Sequence, residues 1–455
     1  MKKNDTLTLE ITDITNLGFG VGRADGIVVF VADTVPGDII RAKIIKVASS
    51  YLVGRAEEFL ARSDKRDPSR CGVSGCRACS YRELSYAEEI KLKEDTVKQE
   101  FIKAGLPELK INPLIPSPLV SEYRNKAQYP VSATKDGKIK IGFYSPKTHN
   151  VSEAADCPLT PPVFTKILNT VRSFLERERM SVYDEESHSG LVRHIYLRRS
   201  QALGEVLLCI VINGSSFPCS DKLVKEITTS HPEVCGIVLN TNEKKTNVIL
   251  GDRYKTLWGK DYICDTLAGV KLKISAPAFY QINHGTAELI YKKARELAAL
   301  KDSDTLLDLF CGTGSIGLSM AKDAKELIGI EIVKEAVECA KFNAEENGIK
   351  NAAFFTGDAS DCEKLLDEAK RSLGQEIKPD VIVLDPPRAG CSEELLNYIA
   401  TLSPKRIVYV SCNPSTLARD IKIMKELNYT AGNVHLYDMF PMTGHVESVV
   451  CLTRR

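Results

Sequence analysis

The chain has 455 residues, 43% of them hydrophobic and 27% charged, with a formal net charge of +1. Its length exceeds what one compact core organises, so two or three domains are expected. The balanced charge excludes a compositional case for nucleic-acid binding, leaving only local basic surface, and no apolar run is long enough to span a membrane. The opening Met1-Lys2-Lys3-Asn4-Asp5 lacks the apolar stretch of a signal peptide, which points to the cytoplasm. Clustered cysteines in that compartment bind metal or do chemistry.

Residues 1–60 read as five short strands. Thr6–Ile14 and Ile39–Val47 alternate, Ile27–Val31 is apolar, and Gly18, Gly20, Gly22, Gly26 and Pro36-Gly37-Asp38 mark turns. That pattern predicts a small closed barrel of the OB kind, either an RNA-binding module or a packing domain. Residues 61–270 read as a central α+β domain. It opens with Cys71, Cys76 and Cys79 spaced C-x4-C-x2-C, and Cys157 follows far downstream before Pro158. The trio fits iron–sulfur ligation, with four-thiolate zinc as the competing chemistry. A helix is expected from Tyr86 to Ala104, stopped by Gly105 and Pro107; it can pack on the last domain. Arg193–Arg199 alternates cations with an aromatic on a strand, compatible with gripping an RNA backbone or with a solvated charged strand.

Residues 271–455 change to regular β-α alternation. Apolar runs at Thr305–Phe310, Leu327–Ile332, Ala353–Thr356, Val381–Leu384 and Arg406–Val410 predict a doubly wound, Rossmann-like sheet. Asp308-Leu309-Phe310-Cys311-Gly312-Thr313-Gly314 joins the first strand to a helix, and Gly312 and Gly314 allow close approach to a ligand. Glu331 ends the second strand, where a carboxylate accepts from ribose hydroxyls. Asp358 follows the third, where an adenine amine would be met. These features fit NAD, FAD or S-adenosylmethionine.

The later strand ends narrow the choice. Asp385-Pro386-Pro387-Arg388 fixes a carboxylate on a stiff loop. Cys412 ends the fifth strand, and Gly444-His445-Val446-Glu447 lies near the C-terminus. A thiolate, a fixed carboxylate and a second carboxylate suit methyl transfer to a pyrimidine. Carbon 5 of uracil is a poor nucleophile until a thiolate adds at carbon 6. A base must then remove the carbon-5 proton; Glu447 is the candidate, and His445 could orient it.

The runs SAPAFYQIN (275–283), DLFCGTGSIGL (308–318), LDPPRAG (384–390), SCNPSTLARD (411–420) and GHVESVV (444–450) resemble the bacterial RNA uracil-5-methyltransferases over nearly the whole chain. The N-terminal barrel resembles a TRAM domain. The resemblance implies Cys412 as nucleophile, Glu447 as base, and Gln281, Phe310, Glu331 and Asp385 around S-adenosylmethionine. It places Phe279 near an extruded target base and makes Cys71, Cys76, Cys79 and Cys157 ligands of a [4Fe–4S] cluster. The chain departs from the family in a four-residue first cysteine gap, where five is usual, and in Ser315, where some members carry Asn. The barrel and the cysteines resemble the branch acting on a loop or bulge of 23S rRNA. Transfer RNA, or two uridines of one rRNA, are alternatives with the same chemistry, and a non-catalytic RNA-binding or assembly protein is the alternative from another class. No feature requires an obligate protein partner.

Overall fold

The computed structural model describes residues 1–134, 136–145 and 148–455. Residues 6–61 form a six-stranded sheet in which the long strand Tyr51–Ala61 joins Ile39–Val47 on one side and Ile27–Ala32 on the other. Alternation along these strands sends Leu9, Val29, Val31, Ile40, Ala42, Ile44 and Leu52 inward to one core. Where one strand was expected over Thr6–Ile14, two form, Thr6–Glu10 and Asp13–Ile14. The break frees the Ile11 and Thr12 amides to bond Asp38 and Val21 across the sheet.

The middle of the chain builds a seven-stranded sheet from residues 126–259. Helices Pro162–Arg177 and Ser220–Ser230 cover one face, burying Phe164, Ile167, Leu168 and Val171 against Ile195, Leu197, Leu208 and Ile210. Strand Val192–Arg199 is buried except at its last residue, so Arg193 and Arg198 are neither solvated nor offered to RNA. Arg193 donates to the carbonyls of Asn242 and Lys244, and Arg198 to those of Ser275 and Ala278. These arginines lock loops to the sheet, because buried guanidinium groups need carbonyl partners.

The C-terminal sheet has eight strands. Its parallel part runs in the order Ala352–Thr356, Glu326–Glu331, Thr305–Leu309, Val381–Leu384, Arg406–Ser411, and Glu447–Arg454 then adds antiparallel. Thr305–Leu309 and Val381–Leu384 are buried along their whole length, as expected of parallel strands covered on both faces. The five predicted strands are the parallel ones, and the last strand adds antiparallel at their edge. The helix Tyr86–Lys103, capped by Ser85, packs on Pro414–Glu426, and its Val97 and Phe101 share a core with Leu417 and Ile421.

Candidate active site

The parallel strands deliver their C-terminal ends to one edge of the sheet, where ligands of open α/β folds sit. At the first end the chain turns sharply: Phe310, Gly312 and Gly314 all have positive φ, at 66°, 55° and 79°. The turn is held by Glu331, whose Oε2 accepts from the Gly312 amide at 3.0 Å while Oε1 accepts from Val333 at 2.9 Å. Asp308 lies beneath it. One of its oxygens accepts from Gly317 at 2.9 Å and the other has no partner among the described residues. The Asp308 carboxyl is pushed up to about 8, by burial first and then by Asp385 and Glu331. Asp385 keeps part of its surface accessible but is crowded on all sides, and burial pushes it to about 7. Tyr291 binds Ser315 Oγ at 2.7 Å and also meets Gln281, bringing all three beside these carboxyls. Asp358 caps the following turn, accepting from Ser360 at 2.9 Å, and stays exposed.

Facing this acidic floor are the thiol and its partner. The antiparallel register pairs Ser411 with Ser448, so Cys412 leaves its strand opposite the point where Glu447 enters the next. Glu447 is also paired with Tyr437 on its other side and is only 7% exposed. Its carboxyl is pushed up to about 8, by burial first and then by Asp385, with Arg388 opposing. The Cys412 thiol is pushed up to about 11 by burial, then by Glu447 and Asp385, with Arg388 again opposing. The two loops are tied together. The Arg388 carbonyl accepts from Asn413 Nδ2 at 2.9 Å, and Asn413 Oδ1 caps the helix Pro414–Glu426 through Ser415. His445 sits 3.2 Å from the Arg388 guanidinium, and burial and that cation lower its pKa. Phe279, 65% exposed, stands on the loop before Gln281.

Away from this edge, Cys71, Cys76, Cys79 and Cys157 all line one cavity of about 270 Å³, with Arg82, Arg124, Lys126 and Met442. No trio of His, Cys, Asp or Glu among the described residues is arranged to hold a metal ion. Arg82 donates to the carbonyls of Cys76 and Val73, and its Nε lies 3.5 Å from Glu83 Oε1. Burial pushes the Cys79 and Cys157 thiols up to about 12 and 11, with Arg124 opposing both shifts. Neutral thiols do not need to converge, whereas thiolate ligands gathered round a cation would.

A family model described as tRNA (uracil-5-)-methyltransferase matches residues 238–455, and one described as TRAM domain matches residues 2–56. A relative in Clostridium acetobutylicum, named as an uncharacterized RNA methyltransferase, is 39% identical across 100% of this chain and 98% of its own. One of the same name in Listeria monocytogenes is 40% identical across 99% and 98%. The chain belongs to the RNA uracil-5-methyltransferase family.

The solved tRNA (uracil-54, C5)-methyltransferase of Pyrococcus abyssi, in complex with S-adenosyl-L-homocysteine, aligns with this methyltransferase over 98% of this chain and 100% of that one. The TM-score is 0.78 at 27% identity. The protein is thus an S-adenosylmethionine-dependent RNA methyltransferase with an N-terminal TRAM domain. Among the described residues no helix is long and apolar enough to cross a membrane. Sequence reasoning missed Asp308 and Tyr291 as residues of this methyltransferase's site. Asp308 was legible only as part of the Gly-rich run, and Tyr291 carries no motif at all; its helix His284–Ala298 brings it in.

Proposed function

We propose that this methyltransferase methylates carbon 5 of a uridine in 23S rRNA, through a covalent bond between Cys412 and carbon 6. The observation that carries the reading is the Cys412–Glu447 pairing across the strand ends, beside Asp385. S-adenosylmethionine supplies an electrophilic methyl group when bound. The acidic floor of Asp308, Asp385 and Glu331 suits a sulfonium and an ammonium, and disfavours a dinucleotide pyrophosphate. Gln281, Phe310, Gly312, Gly314 and Asp358 complete that site.

The Cys412 thiol gives up its proton to solvent, its Sγ forms a bond to carbon 6, and the carbon 5–carbon 6 electron pair moves to an enolate. Carbon 5 then bonds the methyl carbon, whose old bond leaves its electrons on sulfur. Glu447 removes the carbon-5 proton, the double bond reforms, and the Cys412–carbon 6 bond breaks to release the thiolate. Arg388 stabilises negative charge on Cys412 and Glu447, and His445 steadies Arg388. Phe279 is placed to contact a base extruded from a loop or bulge.

Cys71, Cys76, Cys79 and Cys157 would hold a [4Fe–4S] cluster. The donor set fits: four thiols share one cavity, and cations stand opposite to balance thiolate charge. Methyl transfer needs no electron from iron, so such a cluster would be a staple between the 71–79 loop and Cys157. Iron and sulfide analysis after anaerobic purification tests this against zinc.

A second reading, transfer RNA as substrate, is favoured by the Pyrococcus alignment. It covers 98% of this chain, so the barrel region alone does not separate the two RNAs. Labelled methyl transfer to 23S fragments and bulk transfer RNA in parallel decides, with the product nucleoside identified by mass. 5-Methyluridine in transfer RNA alone would overturn the ribosomal reading and keep the chemistry. Cys412→Ala is expected to abolish turnover and adduct, while Glu447→Gln accumulates a methylated adduct.

A further inference from the structure

An ionic cluster with no part in the chemistry above lies fully buried beside the site. Lys93 donates to Glu89 Oε1 at 2.6 Å, to Asp438 Oδ1 at 2.7 Å and to the Phe440 carbonyl at 3.1 Å. The three charged side chains are 0% exposed. Arg70, the neighbour of Cys71, pairs with Glu89 at 2.7 Å, and the Tyr86 hydroxyl donates to Asp438 Oδ2 at 2.8 Å. Two cations balance two carboxylates. A buried set of this kind adds little net stability over apolar packing, because desolvation offsets the attraction. Its value lies in fixing one arrangement.

What it fixes is the segment 438–446, which leads directly into Glu447. Glu89 accepts from the Met442 amide at 2.8 Å, and the Met442 carbonyl accepts from Tyr81 at 2.9 Å. Met442 has φ of 68°, a left-handed conformation that a side chain rarely adopts without such ties. Ser80 Oγ accepts from Gly444 at 3.2 Å, and the Tyr123 hydroxyl donates to the Pro441 carbonyl at 3.0 Å. The barrel closes the other side: a Cβ at Gly444 would meet the Asn16 carbonyl oxygen at 2.6 Å. Met442 also walls the cysteine cavity, while Phe440 packs edge-on against His445.

We propose that Lys93, with Glu89 and Asp438, is a positioning residue that sets segment 438–446 and so aims Glu447 at the carbon-5 proton. The cluster thereby ties order at the cysteine cavity to the proton-removal step. The proposal rests on the reading of Glu447 as the base.

The test compares Lys93→Met and Tyr86→Phe with Glu447→Gln in single-turnover reactions on unmodified RNA, resolved on denaturing gels. Tyr86→Phe removes the hydrogen bond to Asp438 and the one its hydroxyl accepts from the Ser117 amide, and leaves every charge paired. A base misplaced by an ångström slows turnover on the order of a hundredfold. Lys93→Met is expected to show that loss, an unchanged KM and accumulation of methylated adduct; Tyr86→Phe shows the same adduct in smaller amount. Adduct with Glu447→Gln but with neither other variant overturns the positioning role and leaves the base assignment standing. No adduct even with Glu447→Gln overturns that assignment and this proposal with it. Metal content and melting midpoints are read on the same samples. Slow turnover that tracks their loss, without adduct, also overturns the proposal.

Discussion

Ser411 and Ser448 face each other across an antiparallel strand pair, and that single register sets Cys412 against Glu447. Opposed residues in such a pair hold their Cβ atoms about 5 Å apart, so a slip of one residue would turn the carboxyl to the other face. The thiol and the carboxyl therefore share one electrostatic environment.

The first consequence is visible in thiol reactivity. Cys412 is pushed up to about 11 by burial and then by Glu447, while Arg388 pulls it down. Removing a like charge lowers a thiol pKa and removing a cation raises it. Iodoacetamide alkylation of Cys412, followed against pH by peptide mass, is expected to move to lower pH in Glu447→Gln and to higher pH in Arg388→Gln. Unmoved profiles in both variants would separate these groups.

A base must be ionised to accept a proton, and burial holds the Glu447 carboxyl at about 8 in the free protein. Breakdown of the methylated adduct, a step that follows addition of the thiol, should therefore climb roughly tenfold per pH unit below that value and level off above it. A flat profile between pH 6 and 9 would assign proton removal to another group.

Ligand affinity should follow the acidic floor. Asp385 and Asp308 are pushed to about 7 and 8 by burial, so both are largely neutral at pH 6 and ionised at pH 8.5. Affinity for S-adenosylmethionine measured by calorimetry is expected to rise across that interval. S-adenosylhomocysteine, which lacks the sulfonium charge, should rise less. The sign for stability is the reverse. Folded carboxyls with raised pKa retain protons that the unfolded chain releases, so the unliganded protein loses stability as pH rises from about 4 to 8. Melting midpoints of Asp308→Asn should exceed the parent at pH 8.5 and converge with it at low pH.

Asp420 secures the scaffold beneath the loops that carry Arg388 and Cys412. It is fully buried and accepts from the Tyr409 hydroxyl at 2.6 Å, the Cys391 amide at 2.9 Å and Arg419 Nε at 2.8 Å. Asp420→Ala strands these donors and should destabilise the protein by about 3 kcal/mol in urea unfolding. Tyr409→Phe, which loses one hydrogen bond, should lose about 1 kcal/mol.

The sequence by itself determined the local pieces. Apolar runs with Gly or Pro at their ends specify strands that stop where chemistry begins, and Gly312, Gly314, the Asp385-Pro386-Pro387 loop and Cys412 could all be read in this way. Such signals are local because backbone conformation and short-range periodicity depend on neighbours in the chain. Tertiary structure decided which of these ends meet and how charged they are. The sequence offers Glu447 as a candidate base, but only the antiparallel last strand buries it beside Cys412. Arg193 and Arg198 looked like surface cations until loop carbonyls enclosed them. Lys93 is a buried charge only because Asp438, far along the chain, closes over it. Burial and pairing are properties of three-dimensional neighbours, and no pattern along a single chain encodes the desolvation that tunes these groups.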